Sequence, residues 1–157
     1  MSYRKTISLA IFVAAIGCSG GSSTGGLDAE RTFTVALTSA EEVPAPGPTT
    51  ASGLAQVIVY ASEIKFHLSA QNITGITMAH IHSGAAGVAG PVVVALFLPG
   101  SPTGSINGSF ASGTLDASTL PGGVTVASLK TLLLSGNAYV NVHTTANKPG
   151  EIRGQIR

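Results

Sequence analysis

Cysteine, tryptophan and charged residues are scarce in this sequence. Its 157 residues include one cysteine, no tryptophan and 10% charged residues. A single cysteine excludes an internal disulfide framework and a cysteine-based zinc knuckle. The eight lysines and arginines, set against seven acids and scattered singly, cannot form the basic stripe of a nucleic-acid binder, so no nucleic-acid partner is expected. With 44% hydrophobic residues, the chain is not disordered and is predicted to form one ordinary domain.

The N-terminal segment has the pattern of an export signal. A short basic stretch with Arg4 and Lys5 precedes an apolar run over residues 7–16, which is too short to cross a membrane as a helix. This pattern predicts a secretory signal peptide over residues 1–17. The small residues just before Cys18 resemble the lipobox at which bacterial lipoproteins are cleaved and lipidated. The alternative is that Cys18 simply follows an ordinary signal peptide.

A lipidated Cys18 would determine where the protein resides. Residues 18–30 are rich in glycine and serine, which is typical of a flexible tether. Two or more acyl chains, palmitate among them, bury enough methylene groups for stable anchoring. The sequence therefore predicts an extracytoplasmic lipoprotein of the bacterial cell envelope, tethered to the outer membrane or cell surface, with that membrane as its partner.

From Arg31 onward the apolar residues recur with the period of a β-strand. About seven or eight short runs alternate with turn signals, and this pattern predicts an all-β domain over residues 31–157, an antiparallel Greek-key β-sandwich. The continuous run Val92–Leu98 favours a strand buried on both faces. The glycine-rich run Ser105–Leu115 favours an edge strand. One short helix is expected over Leu129–Ser135, capped by Ser128 and followed by Gly136.

Several segments of this region together resemble the CHRD domain, a module named from the animal protein chordin and found in bacterial secreted proteins and lipoproteins. The resemblance covers nearly everything from Thr32 to Arg157. Its segments are Glu42-Val43-Pro44, Ala51–Ala55, Ala79–Gly84 with Gly90-Pro91-Val92, Gly136–Thr144 and Gly150–Ile156. Bacterial CHRD modules have no assigned biochemical activity, and chordin sequesters growth factors. The resemblance therefore implies a non-catalytic binding or structural module, with a protein partner not identified by the sequence.

The histidines form the main candidate site. His80 and His82 are two residues apart, so on a strand both imidazoles leave the same face. If Val140 and Val142 point into the core, His143 lies on the opposite face of its strand, and three imidazoles converge should the two strands be neighbours. Neutral imidazoles suit copper or zinc. The competing hypothesis is a hydrogen-bonded structural cluster, whereas His67, beside Lys65 and Ser69, is expected to be solvated.

A third hypothesis is a redox enzyme. A His-x-His pair on a β-sandwich strand resembles part of the copper site of copper-zinc superoxide dismutases. The β-sandwich itself is expected to be immunoglobulin-like or Cu,Zn-superoxide-dismutase-like. No histidine lies between His82 and His143, so only a copper-only arrangement would be available. Glu151 and Asn141 are the residues expected to hydrogen-bond the histidines and so orient them as metal ligands.

Overall fold

The computed structural model describes residues 28–157. The signal peptide, Cys18 and most of the tether predicted above lie outside the described residues. Within residues 28–157, no helix is long and apolar enough to cross a membrane. The strands and helices are β1 (Arg31–Thr38), a single 3-10 turn (Ser39–Glu41), β2 (Ser52–Val59), β3 (Ile64–Thr74), β4 (Ile76–Ser83), β5 (Val92–Phe97), β6 (Ser105–Leu115), α1 (Val126–Leu134), β7 (Ala138–Thr144) and β8 (Ile152–Ile156).

The eight strands found within residues 28–157 form one antiparallel sheet in the order β5-β4-β7-β8-β1-β2-β3-β6. The two edge strands are brought together by Phe97 and Phe110, whose rings meet edge to face at 5.4 Å, so the sheet is nearly closed into a barrel. In this arrangement β7 returns to lie beside β4, the first strand of the series β4, β5 and β6, which is a Greek-key connection. Over the described residues, the prediction of an all-β domain with one short α-helix is confirmed.

The core lies inside the curled sheet because apolar side chains alternate with polar ones along the strands. In β1, Phe33, Val35 and Leu37 are buried while Thr34 and Ala36 between them are exposed. The same alternation buries one face of β2 and β3, whereas β4 is buried on both faces from Ala79 to His82. Buried side chains at the centre include Val57, Ile64, Leu68, Ile81, Val140, Val142, Ile152 and Ile156.

The fifth strand differs from its prediction. A strand buried on both faces was expected, but β5 is an edge strand whose exposure alternates, and Val92 is 53% exposed. The run of branched residues is consistent with either arrangement, since only the neighbouring strand decides whether a face is covered. The prediction for Ser105–Leu115 is confirmed, because β6 forms the other edge.

Helix α1 begins one turn earlier than predicted. Its N-cap is Thr125, whose hydroxyl accepts from the Ser128 backbone N–H, while the Ser128 hydroxyl accepts from the Thr125 backbone N–H. Ser128 is therefore the N3 residue of a capping box, and not the N-cap. Leu129 and Leu133, one turn apart, are buried. The helix ends before Gly136, whose φ of +72° matches the predicted left-handed residue.

Candidate metal centre

Strand pairing places the three histidines on one face of the sheet. Strands β4 and β7 are antiparallel neighbours in which His80 lies opposite Asn141 and His82 opposite Tyr139. Residues that pair directly across such strands project to the same side. His143 is two residues from Asn141 and shares its face, while Val140 and Val142 point into the core. The predicted convergence of His80, His82 and His143 therefore occurs; we call these residues the triad.

This face lies outside the barrel yet is not open to solvent. His80, His82 and His143 are 7%, 8% and 7% exposed. The connection from β4 to β5 reaches over the face, since its carbonyls at Gly84, Ala85, Val88 and Gly90 accept hydrogen bonds from side chains below. The turn between β7 and β8 adds the Lys148 carbonyl. The triad is thus a small polar interior between sheet and loops.

Two backbone carbonyls determine the tautomers of two imidazoles. His82 Nδ1 lies 2.9 Å from the Gly90 carbonyl oxygen, and His143 Nδ1 lies 2.9 Å from that of Lys148. A carbonyl can only accept, so in each neutral ring Nδ1 carries the proton and Nε2 carries the free lone pair. In both rings the nitrogen with the free lone pair is therefore Nε2, and this is the atom that a metal ion would bind.

The third imidazole completes the group. His80 Nδ1 lies 3.1 Å from His143 Nε2, so His80 donates to that lone pair when no ion is present. His82 Nε2 is buried and has no hydrogen-bond partner among residues 28–157. One nitrogen from each ring lies within 4.8 Å of the others. Zn–N bonds of 2.0–2.1 Å in tetrahedral geometry place ligand nitrogens about 3.3 Å apart, so the three nitrogens lie at most about 1.5 Å farther apart than the ligands of one zinc ion.

Burial keeps the triad neutral. Loss of solvation, together with the neighbouring His143 and His82, lowers the pKa of His80 from 6.5 to about 4. Burial also lowers the pKa of His82 and of His143, against the opposing effect of their carbonyl acceptors. Uncharged rings at neutral pH have lone pairs available, which is the protonation state that metal binding requires.

A stack of three side chains supports the triad from one side. The Tyr139 ring lies parallel to that of His82, with centroids 4.8 Å apart and planes 11° apart. The guanidinium of Arg153 lies on Tyr139, 3.4 Å from the ring centroid. The Tyr139 hydroxyl accepts from the Gly90 N–H at 3.0 Å. Tyr139 and Gly90 were not among the site residues expected from the sequence, although both occur in the segments that carry the family resemblance.

Asn141 contacts a buried carboxylate. Its Nδ2 donates to both oxygens of Glu42, each at 2.8 Å. Burial raises the pKa of Glu42 from 4.5 to about 7, against the opposing effects of the Arg153 charge and of hydrogen bonds from Val43 and Asn141. Glu42 was not expected at this site, because 99 residues separate it from Asn141 and no local pattern joins them.

Glu151 ties two segments together through hydroxyl groups. Its carboxylate accepts from Thr49 at 2.7 Å and from Thr144 at 2.6 Å. Thr144 follows His143 on β7, whereas Thr49 belongs to the connection between β1 and β2. Among the described residues, neither Glu151 nor Asn141 makes a hydrogen bond to a histidine. Glu151 contacts Thr144, the residue after His143, and Asn141 lies opposite His80 on the neighbouring strand.

The fourth histidine is separate from the triad. His67 lies on β3 opposite Ser112 and is exposed. Its Nε2 is hydrogen-bonded to Ser109 on the neighbouring strand β6. Because β3 and β4 are not neighbours in the sheet, His67 offers a matched control for any experiment on the triad.

Comparisons with known proteins give one match. The family model of the CHRD domain matches residues 33–156, which is nearly the whole of the described chain and includes every residue of the triad. No curated protein and no solved structure matches this chain.

Proposed function

Since this chain belongs to the CHRD domain family, which is not a family of enzymes, we propose that it is a non-catalytic module that binds one transition-metal ion. The ion is copper or zinc, and its ligands are His80, His82 and His143. The module keeps the ion between the sheet and the covering loops.

The observation that carries this proposal is the buried Nε2 of His82, which has no partner among the described residues although its ring is held in place by the Gly90 carbonyl and by Tyr139. Buried polar atoms are nearly always hydrogen-bonded. A purely structural cluster would use this lone pair, as it uses that of His143. A metal ion at the centre of the triad satisfies His82 and leaves both carbonyl bonds intact.

The donor set also favours these metals. Three neutral imidazoles suit zinc and copper, whereas magnesium and calcium need oxygen ligands. The Gly90 and Lys148 carbonyls accept hydrogen bonds from the Nδ1 atoms of His82 and His143. Metal-bound histidines typically have such a partner on the nitrogen that does not bind the metal. The site therefore has both the inner ligands and the orienting contacts of a metal centre.

Elemental analysis tests the proposal directly. The protein, purified without a histidine tag, is incubated with Cu²⁺ or Zn²⁺, desalted and analysed beside a His80→Ala/His82→Ala variant and a His67→Ala variant. We expect one ion per chain in the parent and in His67→Ala, and none in the double variant. Absence of metal from the parent, or equal metal in all three proteins, would overturn the proposal and favour a structural cluster.

We also propose that the module is anchored to a membrane of the cell envelope through lipid on Cys18. This residue is followed by a glycine- and serine-rich segment, and β1 begins at Arg31. The other end of β1, Thr38, pairs with Arg153 beside the triad. The seven steps along β1 from Thr38 to Arg31 span roughly 23 Å. The tether would therefore join the domain at a point well away from the metal site.

Palmitate labelling tests the anchor. Cells producing the full chain should incorporate radiolabelled palmitate into it, whereas cells producing Cys18→Ala should not. Equal labelling of the two proteins would contradict lipidation at Cys18. The metal analysis does not depend on this result, so the two parts of the proposal can fail separately.

A further inference from the structure

A bulge in strand β4 turns Met78 toward the triad. Ile76 lies opposite Thr144, but Met78, two residues later, lies opposite His143, which is only one residue from Thr144. The extra residue, Thr77, reverses which face the following side chains occupy. Ile76 is in the core, and Met78 consequently leaves the sheet on the face of His80 and His143.

The paired position brings the Met78 thioether within reach of the triad. Side chains directly opposite on antiparallel strands have Cβ atoms about 4.5–5.5 Å apart, and the methionine sulfur lies two bonds beyond Cβ. Met78 is also the residue two before His80 on the same strand. Its half-buried side chain also lines a cleft of about 300 Å³ with Thr77, Leu98, Gly100, Ser101 and Pro102.

The charges around the triad favour copper in its singly charged form. Among residues 28–157, the group of ligand atoms contains three imidazoles and no carboxylate. The carboxylates of Glu42 and Glu151 are engaged by Asn141 and by two threonines. Arg153 is 1% exposed, and its guanidinium stacks on the Tyr139 ring, which in turn stacks on His82. The cost of burying an ion grows with the square of its charge, so for copper, which can carry one charge or two, neutral ligands beside a buried guanidinium favour the monovalent form.

From these placements we propose that the ion is Cu⁺ and that the Met78 thioether is its fourth donor. This inference rests on the metal binding proposed above and specifies which ion that site takes. Thioether sulfur is a soft ligand that selects Cu⁺, and Cu⁺ carries the single charge that this surrounding tolerates. The cleft beside Met78 is then the side from which the ion reaches the histidines.

Competition under anaerobic conditions tests the inference. The full chain carries Cys18→Ser, so that Met1 and Met78 are its only sulfur-containing residues. Cu⁺ is supplied as its bicinchoninate complex with ascorbate, and Zn²⁺ is supplied with a chromogenic chelator. Met78→Leu conserves volume and apolar character, so it removes the sulfur with little effect on packing. We expect Met78→Leu to weaken Cu⁺ binding at least about tenfold, because losing a direct donor should cost no less than losing an outer hydrogen-bond partner of a metal ligand does. Zn²⁺ binding should be nearly unchanged.

X-ray absorption at the copper edge provides a second measurement. The parent should show a sulfur neighbour of copper that Met78→Leu lacks. Unchanged Cu⁺ affinity in Met78→Leu, equal weakening of both ions, or a copper spectrum without sulfur would each overturn the role of Met78. Binding of Zn²⁺ with no uptake of Cu⁺ would overturn only this inference, whereas a parent that binds neither ion would overturn the proposed function itself.

Discussion

His82 and Tyr139 lie ring on ring, with centroids 4.8 Å apart, and both side chains hydrogen-bond the carbonyl of Gly90. One residue of the covering loop thus orients a candidate metal ligand and the ring that supports it. Gly90 permits this because a Cβ there would lie only 1.7 Å from the Ser83 carbonyl oxygen. The loop can approach the sheet this closely only where a side chain is missing.

Replacing Tyr139 by phenylalanine separates the hydroxyl from the ring. Tyr139→Phe keeps the stack on His82 but leaves the Gly90 N–H without its acceptor, so we expect a loss of about 1–2 kcal/mol in the free energy of unfolding. Metal affinity should fall about tenfold, since Gly90 orients His82. Urea unfolding and metal competition measure the two effects. Tyr60→Phe, after the end of β2, is the matched control, and equal results for both variants would contradict the role of the hydroxyl.

Glu42 makes stability depend on pH. The folded chain raises its pKa from 4.5 to about 7, so the folded state holds this proton more tightly than the unfolded state does. Raising the pH from 4.5 to 7 therefore removes stability, by up to about 3 kcal/mol, and above pH 7 the loss is complete. In Glu42→Gln this loss should be absent, because the amide does not ionise.

The measurement is the difference in unfolding free energy between Glu42→Gln and the parent from pH 4.5 to 8.5. The lowered pKa values of the triad act in the opposite direction below pH 6.5, but they are common to both proteins and cancel in the difference. The variant should gain on the parent as pH rises and level off above pH 7. A difference that is independent of pH would show that Glu42 keeps an ordinary pKa in the folded chain.

The histidine site could be predicted from the sequence only as far as strand periodicity reaches. His80 and His82 are two residues apart, and the valines flanking Asn141 place His143 on the outer face, so a shared face follows from local pattern. The contacts that hold the site do not, since Glu42 meets Asn141 across 99 residues and Arg153 reaches over Tyr139 from a third strand. Burial of this outer face was unforeseen because it depends on the paths of loops.

The strands show the same division between features that local sequence predicts and features that only tertiary structure determines. Alternation in β1 and the glycines of β6 identify strands, whereas the exposure of β5 depends on its place at the sheet edge. The bulge at Thr77, which turns Met78 outward, has no local signature in a run of small and branched residues. Such features come from pairing between strands, and periodicity within one strand carries no information about them.

Metal should protect the protein against heat. An ion that binds only the folded chain stabilises it by about 2.7 kcal/mol at a free concentration one hundred times the Kd, which corresponds to a rise of about 10 °C in Tm for a domain of this size. Thermal unfolding with and without Zn²⁺ checks this. His143→Ala should not respond to Zn²⁺, and His67→Ala should respond like the parent. A response that survives His143→Ala would place the ion elsewhere.

Copper in the triad should not turn over superoxide. Dismutation requires an ion that alternates between two charges and has a coordination position open to substrate. The triad is nine-tenths buried under loops, its surroundings favour the lower charge, and the thioether of Met78 would take the fourth position. We therefore expect the copper-loaded chain to consume superoxide no faster than the metal-free chain does. Met78→Leu opens the fourth position without changing the charge, so it serves as the comparison. Turnover in the copper-loaded parent that is well above that of the metal-free chain, and at least equal to that of copper-loaded Met78→Leu, would mean that the site is catalytic and that its fourth position is already open.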